Sequence, residues 1–226
     1  MSNKEITVII PSAGVGRRMK SYGPKCLIEL SHGYTILDRQ IEMIKSHLPN
    51  SEIIIVCGFK SDKVIATAPE ECIKLENEMY EFTNVSRSVG MALRVTKSKN
   101  VLILTGDLVF NKEALTTIDY SMSCTSANED EYKESEVGCT IDDKGNLAHM
   151  MYDLKLKWNQ IVYLKGKELS MFKKEAWNSK HKKYFLFEVL NRVVSSGGKI
   201  KCVQNELVKT VDVDNAKDIS RAKEIL

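Results

Sequence analysis

No stretch of the 226-residue sequence approaches the roughly 20 consecutive apolar residues that a membrane-spanning helix needs. The opening Met1-Ser2-Asn3-Lys4-Glu5 leads into only five or six strand-like residues, which is neither a signal peptide nor a span. An excess of one charge is missing too. Thirty-three basic residues face 30 acidic ones, and a formal net charge of +3 is too small to point to a nucleic-acid partner. Cys26, Cys57, Cys72, Cys124, Cys139 and Cys202 form no C-x-x-C pair, and none adjoins a histidine, so nothing points to zinc. Most lie in apolar runs such as Ile53 to Cys57, where cysteine acts as a small hydrophobe. These absences lead us to expect a reduced, cytoplasmic protein without membrane insertion.

What is present is globular. An apolar fraction of 43% with 28% charged residues excludes disorder, and neither repeats nor low-complexity tracts occur. The length suits a single domain over residues 1–226 and is ample for a buried core. Ile6 to Ile10, Ile53 to Cys57 and Val101 to Thr105 are continuously apolar and read as strands buried on both faces. Between them lie helical patterns. One opens at Thr35 with Asp38 as capping-box partner and a stripe of Leu37, Ile41, Ile44 and Leu48. Ser61 to Ala68 and Ser86 to Lys97 supply two more, and Ile73 to Leu75 a weak strand. Such alternation predicts an α/β fold, Rossmann-like, with a mostly parallel sheet covered on both sides.

The pattern changes near residue 120. Residues 121–135 read as a polar loop, and Glu136 to Tyr152 as an antiparallel hairpin turning at Asp142 to Asn146. A helix carrying Phe187, Leu190 and Val194, two short strands and a helix from Asn215 complete the chain. Residues 121–183 are therefore expected to be a small insertion, an acceptor-binding lid. Within it, residues 155–183 hold nine lysines and two acids, either a solvated face or a rim attracting an anionic substrate.

Three constellations carry chemistry. Ser12-Ala13-Gly14-Val15-Gly16 follows the first strand, and its glycines allow successive N–H groups to form an anion-binding nest. Met19 replaces the third glycine of a dinucleotide fingerprint, and no G-K-[ST] follows. Instead come Arg17, Arg18 and Lys25, cations suited to a polyphosphate, although a basic surface loop would look the same. Thr105-Gly106-Asp107 ends a buried strand, where α/β sheets bind ligands. Beside phosphates its carboxylate calls for Mg²⁺; otherwise it is a turn or cap residue. Asp212 and Asp214 alternate onto one face and complete an oxygen-only metal set, unless Asp214 caps the last helix.

Gly14-Val15-Gly16-Arg17-Arg18-Met19 with Pro24-Lys25-Cys26-Leu27 is similar to the G-x-G-x-R-M…P-K-x-L signature of nucleotidyltransferases with a GT-A-like fold. Gly106-Asp107 and Asp212-Val213-Asp214 match that family's metal-binding motifs, in order, over essentially the whole chain. Thr83-Asn84…Ser88 resembles the phosphocholine cytidylyltransferase branch, as do Tyr184 and Glu188-Val189-Leu190. Pro11-Ser12, Val85 and Arg87 depart from it. The resemblance implies attack of a phosphate or phosphonate oxygen on the α-phosphorus of a nucleoside triphosphate, with loss of pyrophosphate. Arg18 and Lys25 would be catalytic. Ser12, Ala13, Gly14, Gly16, Arg17, Asn84 and Ser88 would bind the nucleotide. Asp107, Asp212 and Asp214 would hold Mg²⁺, and Tyr184 and Glu188, read as one helical face, the acceptor. CTP is the first choice of nucleotide. Phosphocholine, phosphoethanolamine or 2-aminoethylphosphonate is preferred to a sugar-1-phosphate as acceptor. None of His32, His47, His149 and His181 lies in these motifs, in keeping with a reaction that needs no general base. A glycosyltransferase and a degenerate nucleotide-binding module are the rival readings, and the oligomeric state is left open.

Overall fold

The computed structural model describes residues 6–16, 22–129 and 136–226. The first apolar run forms β1 (Ile6–Ser12), followed by the short antiparallel pair β2 (Glu29–Ser31) and β3 (Tyr34–Thr35). Thr35 caps α1 (Ile36–His47) with the expected reciprocal box: its hydroxyl accepts from the Asp38 N–H, and the Asp38 carboxylate accepts from the Thr35 N–H. β4 (Glu52–Cys57), α2 (Ser61–Thr67), β5 (Ile73–Glu76), α3 (Val85–Val95) and β6 (Asn100–Leu104) then alternate.

β5, β4, β1 and β6 lie side by side and parallel, in that order. Val8, Ile10, Ile55 and Leu102 enter one core beneath α1 and α2, while Ile9, Ile54, Val56 and Ile103 enter another beneath α3. Nearly every position of β1, β4 and β6 is buried on one side or the other, which is why these three strands read as apolar runs, while β5 at the edge is only half-buried. The chain moves outward from β1 through β4 to β5, then returns through α3 to β6 on the far flank of β1. Strand order thus reverses at the carboxyl ends of β1 and β6, the position at which open α/β sheets bind ligands.

After β7 (Leu108–Phe110) and α4 (Glu113–Thr116), the structure corrects part of the loop expected at 121–135, since β8 (Cys124–Glu129) is a largely buried strand; residues 130–135 lie outside the described residues. Its polar side chains are satisfied from far along the chain. Trp158 Nε1 donates to Thr125 Oγ1, Thr125 Oγ1 to the Ile161 carbonyl, and Asn159 Nδ2 to Ser126 Oγ, each at 2.8 Å. The hairpin forms as β9 (Val137–Ile141) and β10 (Leu147–Tyr152). β11 (Leu156–Lys165) pairs antiparallel with β6, β8 and β9, so residues 121–183 also extend the central sheet. The lysine-rich segment continues as α5 (Gly166–Trp177), whose Leu169, Phe172 and Ala176 are buried.

α6 (Leu186–Ser195) and β12 (Lys201–Val203) follow, and β12 joins the sheet beside β8. β13 (Thr210–Asp212) forms a separate ladder with β7, and α7 (Ala216–Lys223) packs in the small core around Val109, Val211 and Val213. All six cysteines are buried free thiols. Among the described residues no helix is long and apolar enough to cross a membrane.

Candidate active site

The loop after β1 and the 3-10 turn Lys25–Leu27 face each other across the carboxyl end of the sheet. Gly16 has φ +57°, and a Cβ there would stand 3.0 Å from Lys25 Cγ, so glycine lets the loop pass close over the lysine stem. Lys25 Nζ donates to Asp107 Oδ2 at 2.7 Å and to Asp214 Oδ1 at 2.5 Å. Burial works against this ammonium, but Asp107, Asp212 and Asp214 together more than offset it and raise its pKa. Lys25 is a fixed positive charge.

Asp107 sits in the turn between β6 and β7. The Gly106 N–H donates to the Pro11 carbonyl at 3.1 Å. A Cβ on Gly106 would fall 2.1 Å from Ser12 Oγ, so only glycine brings this turn against the end of β1. Gln40, wholly buried in α1, donates from Nε2 to the Thr105 and Leu108 carbonyls, both at 2.8 Å, and so clamps the turn from below. Asp212 is carried to the same place by the β13–β7 ladder, which sets it opposite Leu108. Val213 N–H donates to the Asp107 carbonyl at 3.0 Å. Asn215, not Asp214, caps α7.

Asp107, Asp212 and Asp214 each offer a carboxylate oxygen within 4.8 Å of the others. Burial, then the charges of Asp107 and Asp214, push the Asp212 carboxyl up to about 8. Gln160 donates from Nε2 to Asp212 Oδ2 at 2.6 Å and accepts from Thr105 Oγ1 at 3.0 Å. Asp212 Oδ1 is buried with no hydrogen-bond partner among the described residues. An oxygen-only set with a spare buried acceptor fits a hard divalent cation.

These groups open into a cleft of about 550 Å³. Ser12, Ala13, Gly14, Gly16, Asn84 and Ser88, expected at the nucleotide, all line it, whereas Arg17 and Arg18 lie outside the described residues. Asn84 also caps α3 through Val85 N–H and donates to the Lys183 carbonyl, tying this wall to the later half of the chain. Ser88 Oγ accepts from Asn77 Nδ2 at 3.1 Å.

The opposite wall holds Glu136, Tyr152, Trp158, Phe185 and Phe187. The structure does not bring Tyr184 and Glu188 into this lining. Tyr184 precedes α6, so the two share no helical face; its ring stacks on His181 at 4.3 Å between centroids. Glu188 Oε2 accepts from Phe185 N–H at 2.7 Å, as an N-terminal cap of α6. Tyr163 is core, with its hydroxyl donating to Asn100 Oδ1 and to the Tyr120 carbonyl. Sequence reasoning missed Asn77, Tyr80, Glu136, Phe187, Gln40 and Gln160. An uncharged amide carries no spacing signal, although Glu136 could have been found as the acid opening the hairpin.

Residues 8–127, just over half of the chain, match the model of the MobA-like NTP transferase domain. Over 73 residues the chain is 34% identical to a 2-C-methyl-D-erythritol 4-phosphate cytidylyltransferase of Vibrio vulnificus (strain YJ016), covering 30% of each protein. It is 25% identical over 233 residues to the bifunctional protein GlmU of Buchnera aphidicola subsp. Schizaphis graminum, covering 97% of this chain and 48% of that one. The chain thus spans half or less of the length of these curated relatives. The solved structure of CTP:phosphocholine cytidylyltransferase from Streptococcus pneumoniae superimposes with a TM-score of 0.80. It covers 98% of this chain and 99% of the other at 16% identity, so the fold is shared.

Proposed function

The chain belongs to the MobA-like NTP transferase domain family, and on that premise we propose that it is a nucleotidyltransferase. It joins a nucleoside monophosphate from a triphosphate to a small phosphorylated acceptor and releases pyrophosphate. The observation that carries this reading is the meeting of Lys25 with Asp107, Asp212 and Asp214 in one cleft, beside a glycine loop. Magnesium held by the three aspartates would, when bound, offset negative charge on the triphosphate oxygens. The Lys25 ammonium lies between the two carboxylate-bearing segments, where it would meet oxygens of both reactants and strengthen its hold as charge shifts during transfer. Loop N–H groups around Gly14 and Gly16 line the phosphates, with Arg17 and Arg18 as further cations.

No group of the chain has to remove a proton from the acceptor. A phosphate monoester, with a second pKa of about 6, already presents an anionic oxygen near pH 7. Cys26 lines the cleft but does not compete as a nucleophile, because burial pushes its thiol up to about 12.

For the nucleotide the reading is CTP, supported by two relatives that are cytidylyltransferases by name. Ser12 and Val85 keep UTP and dTTP in contention. For the acceptor it is a phosphorylated amino-alcohol such as phosphocholine, phosphoethanolamine or its phosphonate relative, seated in the wall supplied largely by 121–183. Phe187 packs edge-on against Tyr152 at 5.5 Å and parallel to Phe185 at 5.9 Å, leaving Tyr152 and Phe185 exposed in the cleft. Aromatic faces with the Glu136 carboxylate suit an ammonium, and Lys157, 3.1 Å from Glu136, suits the phosphate.

Pyrophosphate release tests the assignment. CTP, UTP, dTTP, ATP and GTP are each offered with amino-alcohol phosphates and with sugar-1-phosphates. The expected result is turnover with CTP and an ammonium-bearing acceptor. A tenfold purine preference, or turnover confined to sugar-1-phosphates, would overturn the respective half. Release of nucleotide from a nucleotide sugar would mark a glycosyltransferase, and binding without turnover a degenerate module.

A further inference from the structure

The geometry points to Gln160 as a positioning residue that holds Asp212 ready for a cation, delivered by a bulge in β11. The inference rests on reading the aspartate cluster as a divalent-cation site. β11 pairs with β8 at Leu156–Trp158 and again at Val162–Tyr163, with a shift of register between Trp158 and Val162. Inside that shift Gln160 takes φ +58°. Lys60 and Asp153 are the other non-glycine residues with positive φ among those described, and both lie between elements. Gln160 lies within a strand, where this conformation is disfavoured for any side chain.

The bulge decides where the amide goes. Regular alternation would set Gln160 on the side of Val162, which is buried in the core beneath α3 and does not reach the cleft. A primary amide there would lose its hydrogen bonds. The observed backbone turns it instead into the cleft, against Thr105 and Asp212. Thr105 Oγ1 donates to Oε1, which fixes the amide's orientation and leaves Nε2 to donate to Asp212 Oδ2. With Oδ2 occupied, Oδ1 is the free acceptor. Thr105 stands two residues before Asp107, so a single side chain ties together the two segments that carry the aspartates. Strain held at one residue for the sake of a polar contact is the arrangement found at functional sites.

Three variants of the full chain separate positioning from mere packing. Gln160→Gly removes the side chain and the backbone strain together. It should melt no lower than wild type without metal, yet bind Mn²⁺ 10- to 100-fold more weakly by calorimetry. Gln160→Leu keeps the bulk and the strain but can neither accept from Thr105 nor donate to Asp212, and should lose Mn²⁺ affinity similarly. Gln160→Ala keeps the strain and should both melt lower and bind weakly. In turnover all three should lower kcat while the KM for triphosphate stays within threefold. A Gly variant that binds Mn²⁺ within twofold of wild type would overturn the role of Gln160 and leave the cation site standing. Wild-type protein that binds no Mn²⁺, with or without triphosphate, would overturn both.

Discussion

Removal of the Lys25 ammonium leaves Asp107, Asp212 and Asp214 facing one another within 4.8 Å. Lys25→Met should therefore melt lower than wild type without metal and recover most of the loss as Mg²⁺ is added. Its kcat should fall by roughly 100- to 1,000-fold, the range for losing one preorganised charge at a reacting group. Triphosphate affinity should change less than tenfold; equal losses in both would make the lysine a simple binding group. Asp212 carries the opposite liability. Its carboxyl is raised to about 8, so the folded, metal-free protein prefers it protonated. The penalty is absent below the ordinary carboxylate pKa of about 4, grows as pH rises, and is complete above 8. Asp212→Asn should consequently stabilise the metal-free protein by roughly 1 to 2 kcal/mol at pH 8 and hardly at all at pH 4, while abolishing activity. Melting curves across that range check the sign. A stabilisation that shrinks with rising pH would refute it.

Gln40 shows how far a site depends on the element beneath it. It lies in α1 and never reaches the cleft, yet its amide holds the turn that presents Asp107. Gln40→Leu leaves two buried carbonyls without that donor and should cost roughly 2 to 4 kcal/mol of stability. Activity per folded molecule should fall as well, which separates clamping of the turn from bulk packing. Urea titration beside single-turnover rates gives both numbers. The start of α1 was legible beforehand because Thr35 and Asp38 declare it locally, and β1, β4 and β6 because burial on both faces leaves an unbroken apolar run. The glycine loop, Lys25 and the three aspartates were legible for a different reason: they stand beside readable strands in the order and spacing of a known family's motifs. β8 was not. Thr125, Ser126 and Asn128 look like loop until their hydrogen bonds with residues some 30 or more positions away are seen. The bulge at Gln160 was invisible, since nothing local asks a glutamine for positive φ. The pairing of Tyr184 with Glu188 failed through a helix boundary, because α6 starts at Leu186.

Across the whole molecule the cleft divides its labour. The earlier half supplies the loop and the Asn77–Ser88 wall, and the later half the aromatic wall. Tyr152→Ala and Phe185→Ala should each raise the KM for an ammonium-bearing acceptor by about 3- to 30-fold, matching about 0.5 to 2 kcal/mol per aromatic face. Sugar-1-phosphate turnover, where present, should hardly change. Glu136→Gln should act in the same direction, and a larger effect from Glu188→Gln would restore the acceptor residue expected from the sequence.

Lys25 and Asp214 meet at a sequence separation of 189, and Lys25 and Asp107 at 82. Contacts of such long range are entropically late in folding. The first strands can assemble locally, but β13 is held to β7 by a ladder of only three residue pairs near the end of the chain. During refolding, the far-ultraviolet signal of the sheet should therefore recover before turnover does. Before residues 210–214 dock, Lys25 would be opposed by Asp107 alone, without Asp212 and Asp214. Such a molecule would lack two of the three carboxylates proposed to hold the cation, so on the proposed function turnover should begin only after that docking.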